Sequence, residues 1–358
     1  MKQKFKALLI GAVLSIGLNG QGLAATGKKE QVAPSKKAQP VAGHKTARKS
    51  TSGSAKTAGK QQVSKHAAAA PKKLAGVPKA SRFAASESHS AKPIRKVSMS
   101  EADAGRLALH SASALVIDQT SGQALVDKNS HDVVPIASIS KLMTAMVVLD
   151  AKLDLNEVIA IGEEDVDGLK GTRSRLPVGT TMTRETAMLL ALMSSENRAA
   201  HALGRHYPGG MPAFVQAMNR KAQTLGMTNS RFEEPTGLSS NNVSTAHDLV
   251  RMVTAAARYP EIRILSTTAE AKVELNGRIQ NFGTTNPLVR SDNWEIGVSK
   301  TGYISEAGRC LVMQARVADK PVVIVLLDSQ GKMTRVGDAN RIKRWMESAS
   351  LSTGRKQA

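Results

Sequence analysis

The chain has 358 residues, a formal net charge of +21 and one cysteine, Cys310. That length accommodates one large domain or two ordinary ones with a sizeable core, and a single cysteine excludes both an intramolecular disulfide and a cysteine-rich metal site. The charge is unevenly placed: residues 26–100 hold 17 Lys and Arg against only Glu30 and Glu87, so the rest of the chain carries little net charge and the high pI does not describe a basic folded surface.

In chain order, Lys2, Lys4 and Lys6 precede an apolar run of about 12 residues and then Ala24 and Ala25. The run is shorter than the ~20 residues a span needs, so residues 1–25 read as a signal peptide cleaved near Ala25. Residues 26–100 mix Lys with Ala, Ser, Thr, Gly and Pro. They have too little apolar surface to offset chain entropy and are expected to be a disordered linker, with an r.m.s. reach of roughly 45–50 Å. Such a linker suits loose, salt-sensitive binding to an anionic envelope polymer; a tether with no specific partner fits its composition as well. With Phe83 as its only aromatic, it fits nucleic acid poorly.

Globular patterning begins near residue 110. "SALVIDQTSGQALVDKN" reads as a hairpin about Thr120, Ser121 and Gly122. In "SISKLMTAMVVLDAK", Leu142, Met143, Met146, Val147 and Leu149 recur at helical spacing, predicting a buried helix from near Ser138. Residues 153–260 are mostly helix and loop, including "TRETAMLLALMSSENRAAHALGRH" and "GMPAFVQAMNRKAQTLG". Strands return after about 270 in "AEAKVELNG", "EIGVSKTGY", "GRCLVMQARV" and "KPVVIVLLDSQ", with Cys310 as a small buried strand residue. A final amphipathic helix, "GDANRIKRWMESA", places Ile342, Trp345 and Met346 on one face before a polar tail at 351–358. Strands at both ends of residues 101–350, with helices between, predict an α+β fold. An antiparallel sheet is covered by helices, a helical lobe spans about 155–260, and a cleft separates lobe from sheet.

Three short strings could carry chemistry across that cleft. S-x-x-K occurs at Ser138–Lys141 and Ser329–Lys332. Ser138 opens a predicted helix, where i and i+3 share a face; the helix N-terminus favours an oxyanion and, with burial, lowers the lysine pKa. Ser329 ends a strand just before Gly331 and reads as a turn, while Ser140 reads as a helix-face hydroxyl. S-x-N occurs at 195–197, 239–241, 240–242 and 291–293. Ser195 and Asn197 follow an apolar helix and can face Ser138. The strings at 239–242 lie in a polar loop, and Ser291–Asn293 leads directly into the strand carrying Lys300, on the sheet side. Lys300, Thr301 and Gly302 form a unique KTG, suited on an edge strand to binding an extended peptide and its carboxylate. None of the eight histidines stands in an H-x-H or HExxH setting; His201 and His206 read as surface residues after a helix, and no metal or other cofactor is called for.

"PIASISKLMTAMVVLDA", "LALMSSENRAAHAL", "TNSRFEEPTGLSSNN", "NFGTTNPLV" and "VSKTGY" together resemble the low-molecular-mass penicillin-binding proteins. These are the D-alanyl-D-alanine carboxypeptidases and endopeptidases of bacterial cell walls, and the resemblance is nearest to the soluble endopeptidase branch, over about residues 105–348. It implies the penicillin-binding/β-lactamase-like serine transpeptidase fold. Ser138 would be the acylated nucleophile, Lys141 its base and Ser195 the relay to the leaving amine. Asn197 would hold the peptide, Lys300 and Thr301 the adjacent carboxylate, and the backbone N–H groups of Ser138 and Tyr303, after Gly302, the oxyanion. Partners would be peptidoglycan peptides, with β-lactams as acylating inhibitors. Relatives anchored at the membrane carry a β-rich domain and an amphipathic helix after the catalytic domain, whereas 56 residues follow Gly302 here; this implies a soluble periplasmic endopeptidase over a carboxypeptidase. A β-lactamase would need an acidic residue for fast deacylation; Glu163 and Glu164 lie in the right general region without a clear match. A non-catalytic wall-binding protein is the remaining alternative.

Overall fold

The computed structural model describes residues 107–354, with side chains to residue 350; the expected signal peptide and basic linker lie outside them. The strands are β1 (Ser111–Asp118), β2 (Ala124–Lys128), β3 (Val134–Pro135), β4 (Val158–Ala160), β5 (Thr181–Thr183), β6 (Val243–Ser244), β7 (Glu270–Leu275), β8 (Arg278–Gly283), β9 (Glu295–Ile304), β10 (Gly308–Val317) and β11 (Lys320–Ser329). The helices are α1 (Ser140–Asp150), α2 (Arg184–Met193), α3 (Asn197–Arg205), α4 (Gly210–Thr224), α5 (Ala246–Ala256), α6 (Pro260–Thr267) and α7 (Thr334–Gly354).

One antiparallel sheet, in the order β2-β1-β11-β10-β9, joins the two ends of the described chain, as the α+β reading expected. The run "PVVIVLL" of β11 does not alternate because this strand is central and covered on both faces. Val323, Val325 and Leu327 pack with the helical lobe. Val322, Ile324 and Leu326 pack under α7. The predicted hairpin joins β1 and β2 around Gly122, whose φ of +70° suits glycine.

Thr183 caps α2 by accepting from Thr186 N–H, and Thr245 caps α5 by accepting from Asp248 N–H. The expected helical stretch 183–206 is split in two: α2 stops at Met193 and α3 starts at Asn197, with Ser195 between them at φ +62°. Small pairings β3–β6, β4–β5 and β7–β8 accompany the lobe; β7 lies in the expected strand "AEAKVELNG", while the two- and three-residue strands were too short to stand out in the sequence. The last helix begins at Thr334 and runs to Gly354, past the tail boundary at 351. Its Ile342 and Met346 are buried and Trp345 packs part-buried beside them, as their spacing predicted.

One buried cluster closes the sheet end. Asp338 of α7 accepts from Ser111 N–H (2.7 Å) and Ser111 Oγ (2.6 Å), and Ser111 Oγ meets Ser329 Oγ at 2.7 Å. Ser329, the alternative S-x-x-K serine, is therefore a buried strand-end partner and not a free turn hydroxyl, while Lys332 is exposed.

Candidate active site

The turn carrying Ser138 is shaped from behind. Ala137 has φ +50°, and residues Ala137–Ile139 form a 3-10 turn with no side-chain cap, so the regular helix starts at Ser140, two residues later than Ser138. Ser140 is not a helix-face hydroxyl: it is fully buried, donates to Ala137 O (2.9 Å) and accepts from Asn242 Nδ2 (3.0 Å). Asn242 also receives Glu233 N–H at 2.8 Å and donates to Glu234 O at 2.8 Å, so one of the discounted S-x-N asparagines is a buried clamp beneath the Ser138 turn. Gly237, at φ +81°, lies so close that a Cβ there would overlap the Ala137 carbonyl and sit 2.7 Å from Ser138 N.

Lys141 is fully buried; its Nζ donates to Ser138 Oγ (2.8 Å), Asn197 Oδ1 (2.8 Å) and Thr236 O (2.6 Å). Burial pushes its pKa down to about 7, against the opposing pull of the Glu234 and Glu196 carboxylates. A neutral amine has two N–H groups and one lone pair. With Asn197 Oδ1 and Thr236 O taking the N–H groups, the lone pair is left facing the Ser138 hydroxyl.

Opposite, the left-handed Ser195 projects toward the sheet, and Lys300 Nζ donates to Ser195 Oγ (2.8 Å) and Thr301 O (2.8 Å). Lys300 is buried, and its pKa is held far below the usual lysine range by that burial, then by the charges of Lys141 and Arg335. Asn197, the first residue of α3, also donates Nδ2 to Thr172 Oγ1 at 3.0 Å. Thr301 Oγ1 meets Thr285 Oγ1 at 2.6 Å. A Cβ on Gly302 would lie 3.0 Å from Ala137 Cβ, Ile136 O and Ser138 N, so β9 passes directly against the Ser138 turn. Tyr303 follows, 56% exposed. Ser138, Lys141, Ser195, Asn197, Lys300, Thr301, Gly302 and Tyr303 are thus brought to one place, with Ser195 joined to Lys300.

The other strings go elsewhere. Ser291 ends a 3-10 turn and accepts Asn293 N–H at 3.3 Å in the loop before β9. Cys310 is buried, donates Sγ–H to Ala307 O at 3.4 Å, and has its thiol pKa raised to about 11 by burial. His201 is not a surface residue following a helix: it lies within α3, its side chain 29% exposed and Nδ1 2.7 Å from Asp165 Oδ1. His206 caps the end of α3 with Nδ1 at 2.9 Å from Ala202 O.

Sequence reasoning missed the support. Glu234 accepts from Thr236 N–H (2.5 Å) and Gly237 N–H (2.6 Å), folding the "EEPTG" turn that offers Thr236 O to Lys141. Glu196 is buried between Arg175 (2.9 Å) and Ser174 (2.8 Å). Arg335, in the first turn of α7, is buried with Nε and Nη1 unpartnered and its charge felt at Lys300. A signal existed for it, since 335, 339, 342 and 346 form the apolar stripe of α7 and an arginine on such a stripe is out of place.

Comparison with known proteins agrees. Residues 97–331 match the family described as D-alanyl-D-alanine carboxypeptidase. The D-alanyl-D-alanine endopeptidase of Pseudomonas aeruginosa is 50% identical over 68% of this chain and 79% of its own length. That of Escherichia coli is 47% identical over 67% of this chain and 78% of its own. Among solved structures, the Streptomyces K15 DD-transpeptidase superposes with a TM-score of 0.62 at 26% identity, covering 66% of this chain and 97% of its own. A D-alanyl-D-alanine carboxypeptidase from Mycobacterium tuberculosis H37Rv gives 0.61 at 27%, covering 67% and 92%. The match over residues 97–331, reinforced by relatives half-identical along most of their length, makes this chain a member of the D-alanyl-D-alanine carboxypeptidase family.

Proposed function

We propose that this protein is a serine D,D-peptidase of bacterial peptidoglycan that hydrolyses D-Ala-diaminopimelate cross-links through an acyl-enzyme. The observation that carries this is Lys141, buried with a pKa near 7 and 2.8 Å from Ser138 Oγ. Neutral Lys141 takes the hydroxyl proton as Ser138 Oγ attacks the D-alanyl carbonyl. The backbone N–H groups of Ser138 and Tyr303 hold the oxyanion, Gly302 allowing β9 to approach that closely. Ser195 gives its hydroxyl proton to the leaving amine and takes the one held by the Lys141 ammonium, which leaves Lys141 neutral again; Lys300 Nζ lies 2.8 Å from the Ser195 Oγ. Asn197 holds the peptide, exchanging its bond to Thr172 for one to substrate. Lys300, Thr301 and the unpartnered N–H groups of Arg335 receive the carboxylate beside the scissile bond. Water then attacks the ester, with Lys141 again as base.

Endopeptidase is favoured over carboxypeptidase because the relatives at 50% and 47% identity are endopeptidases, whereas a carboxypeptidase of Bacillus subtilis stands at 29%. Fast β-lactam turnover is disfavoured: Glu163 and Glu164 are exposed on a 3-10 turn, and the buried Glu196 is committed to Arg175 and Ser174. β-Lactams therefore act as long-lived acylating inhibitors. The signal peptide read in residues 1–25 supports work in the periplasm, and no helix among the described residues is long and apolar enough to cross a membrane. The basic linker would tether the domain to an anionic envelope polymer, with nucleic acid a poor fit.

The test is incubation with fluorescent penicillin and with purified cross-linked muropeptide dimers. A persistent label and loss of dimers, both abolished in Ser138→Ala, are expected. A label that turns over rapidly would instead indicate a β-lactamase, and a Ser138→Ala variant as active as wild type would end the serine-enzyme assignment. Removal of residues 26–100 should weaken sacculus binding at low salt; unchanged binding would refute the tether.

A further inference from the structure

The end of β9 has a second face that the chemistry above uses only in part. Strand alternation sends Lys300 and Gly302 toward the helical lobe, and Thr301 and Tyr303 toward α7. The neighbouring strand agrees: Cys310 and Val312, opposite Gly302 and Lys300, belong to the lobe-side core, while Leu311, opposite Thr301, belongs to the core under α7. Arg309 stands opposite Tyr303, and its guanidinium carbon lies 4.4 Å from the centre of the Tyr303 ring.

This pair is shaped like a receptor for an anion. Tyr303 is 56% exposed, so the ring stands at the surface at the end of β9 and does not fill the core. Arg309 makes no ion pair among the described residues, and the carboxylates near it are engaged elsewhere: Glu306 with Lys170 and Ser305, and Asp328 with Gln330. Stacking on an aromatic face fixes the plane of a guanidinium while leaving its N–H edge free for a bidentate carboxylate. Thr301, assigned to the first carboxylate, and Tyr303 are two residues apart on one strand face, roughly 6.5–7 Å along the strand.

We propose that Arg309, held flat on Tyr303, binds a second carboxylate of the substrate, one carried by the leaving side of a cross-link and absent from a terminal D-alanine. The proposal rests on the endopeptidase assignment. A terminal D-alanine leaves with a single carboxylate, already received by Lys300, Thr301 and Arg335. The diaminopimelate amine released from a cross-link carries that carboxylate too, and behind it an acceptor stem peptide with further carboxylates. A chain continuing past the first carboxylate along the α7 face meets Arg309 next. The pair thereby selects a large anionic leaving group over a single amino acid.

The experiment measures kcat/KM on purified muropeptide dimers and divides it by the second-order rate of acylation by fluorescent penicillin, which carries one carboxylate. In Arg309→Gln this ratio is expected to fall about five- to tenfold, as for one charge-assisted contact, and further in Arg309→Glu. Wild type given dimers amidated on the further acceptor-stem carboxylates, with the diaminopimelate carboxylate beside the scissile bond left free, should lose the same factor, and Arg309→Gln should be insensitive to that amidation. An unchanged ratio in Arg309→Glu, or amidation without effect on wild type, overturns the proposal. Wild type that labels with penicillin but leaves dimers intact overturns the endopeptidase assignment itself, and with it this proposal. The amidated substrate needs no variant, so the test holds even where a substitution impairs folding.

Discussion

Substituting Gly237 by alanine isolates the wall behind Ser138. A Cβ there would overlap the Ala137 carbonyl and lie 2.7 Å from Ser138 N. Restoring an ordinary contact of about 3.4 Å moves the Ser138 turn or the "EEPTG" turn by on the order of 1 Å, and a misplacement of that size costs roughly 10²-fold in rate. The left-handed φ of +81° adds about 1–2 kcal/mol of strain for a residue with a Cβ. In a domain of this size 1 kcal/mol corresponds to about 2–4 °C in Tm, so the variant should melt a few degrees low and remain folded at 25 °C. The assay pairs the rate of acylation by fluorescent penicillin with a calorimetric melting curve. Gly277→Ala is the control, because Gly277 shares the positive φ (+72°) but faces open space, so it should lose stability without losing acylation. A Gly237→Ala enzyme that acylates within threefold of wild type would refute the idea that this wall positions Ser138.

Acylation should rise with pH through about 7 and level above it, because only neutral Lys141 accepts the Ser138 proton. Glu196→Gln removes a charge that raises the Lys141 pKa, so the rising limb should move to lower pH in a stopped-flow pH series; a shift to higher pH would contradict this. Asn242→Ala deletes bonds to Ser140 Oγ, Glu233 N–H and Glu234 O. At about 1 kcal/mol each this is roughly 3 kcal/mol, read as a fall of about 6–12 °C in Tm. His131 and His247 stack with ring centres 4.2 Å apart, and burial, then the His131 charge, holds the His247 pKa below its usual value. Arg251 acts the same way, and Asp127 and Asp248 oppose it. Protonation then favours the unfolded chain, so stability is full above about pH 6.5 and declines as pH falls through that value. His247→Gln should flatten this decline in melting curves recorded between pH 7.5 and 5, and an unaltered slope would count against it.

The order of strands, lobe and final helix was legible because each rests on a local pattern: the unbroken apolar run of β11, the Leu142–Leu149 spacing of α1, the Gly122 turn. The Ser138–Lys141 contact and the KTG strand were legible because they are written in adjacent residues. What escaped was support acting across distance. Asn242 meets Ser140 from 102 residues away, and Thr236 meets Lys141 from 95. Arg335 reaches the site from the last helix. Such groups look like loop polarity or surface charge until the backbone brings them inside. His201 shows the same limit, since nothing near it in sequence names Asp165 as its partner.

The clasp of Ser111, Ser329 and Asp338 also has a meaning in time. β11 is the central strand and the last one synthesised, so the hairpin of β1 and β2 has no sheet to join until nearly the whole chain exists. A lone hairpin is marginal in water, and pairing between such distant segments is slow. The polypeptide therefore cannot complete its sheet until the end of its synthesis. It becomes an enzyme late and all at once, when the helix bearing Asp338 and Arg335 locks the first strand to the last.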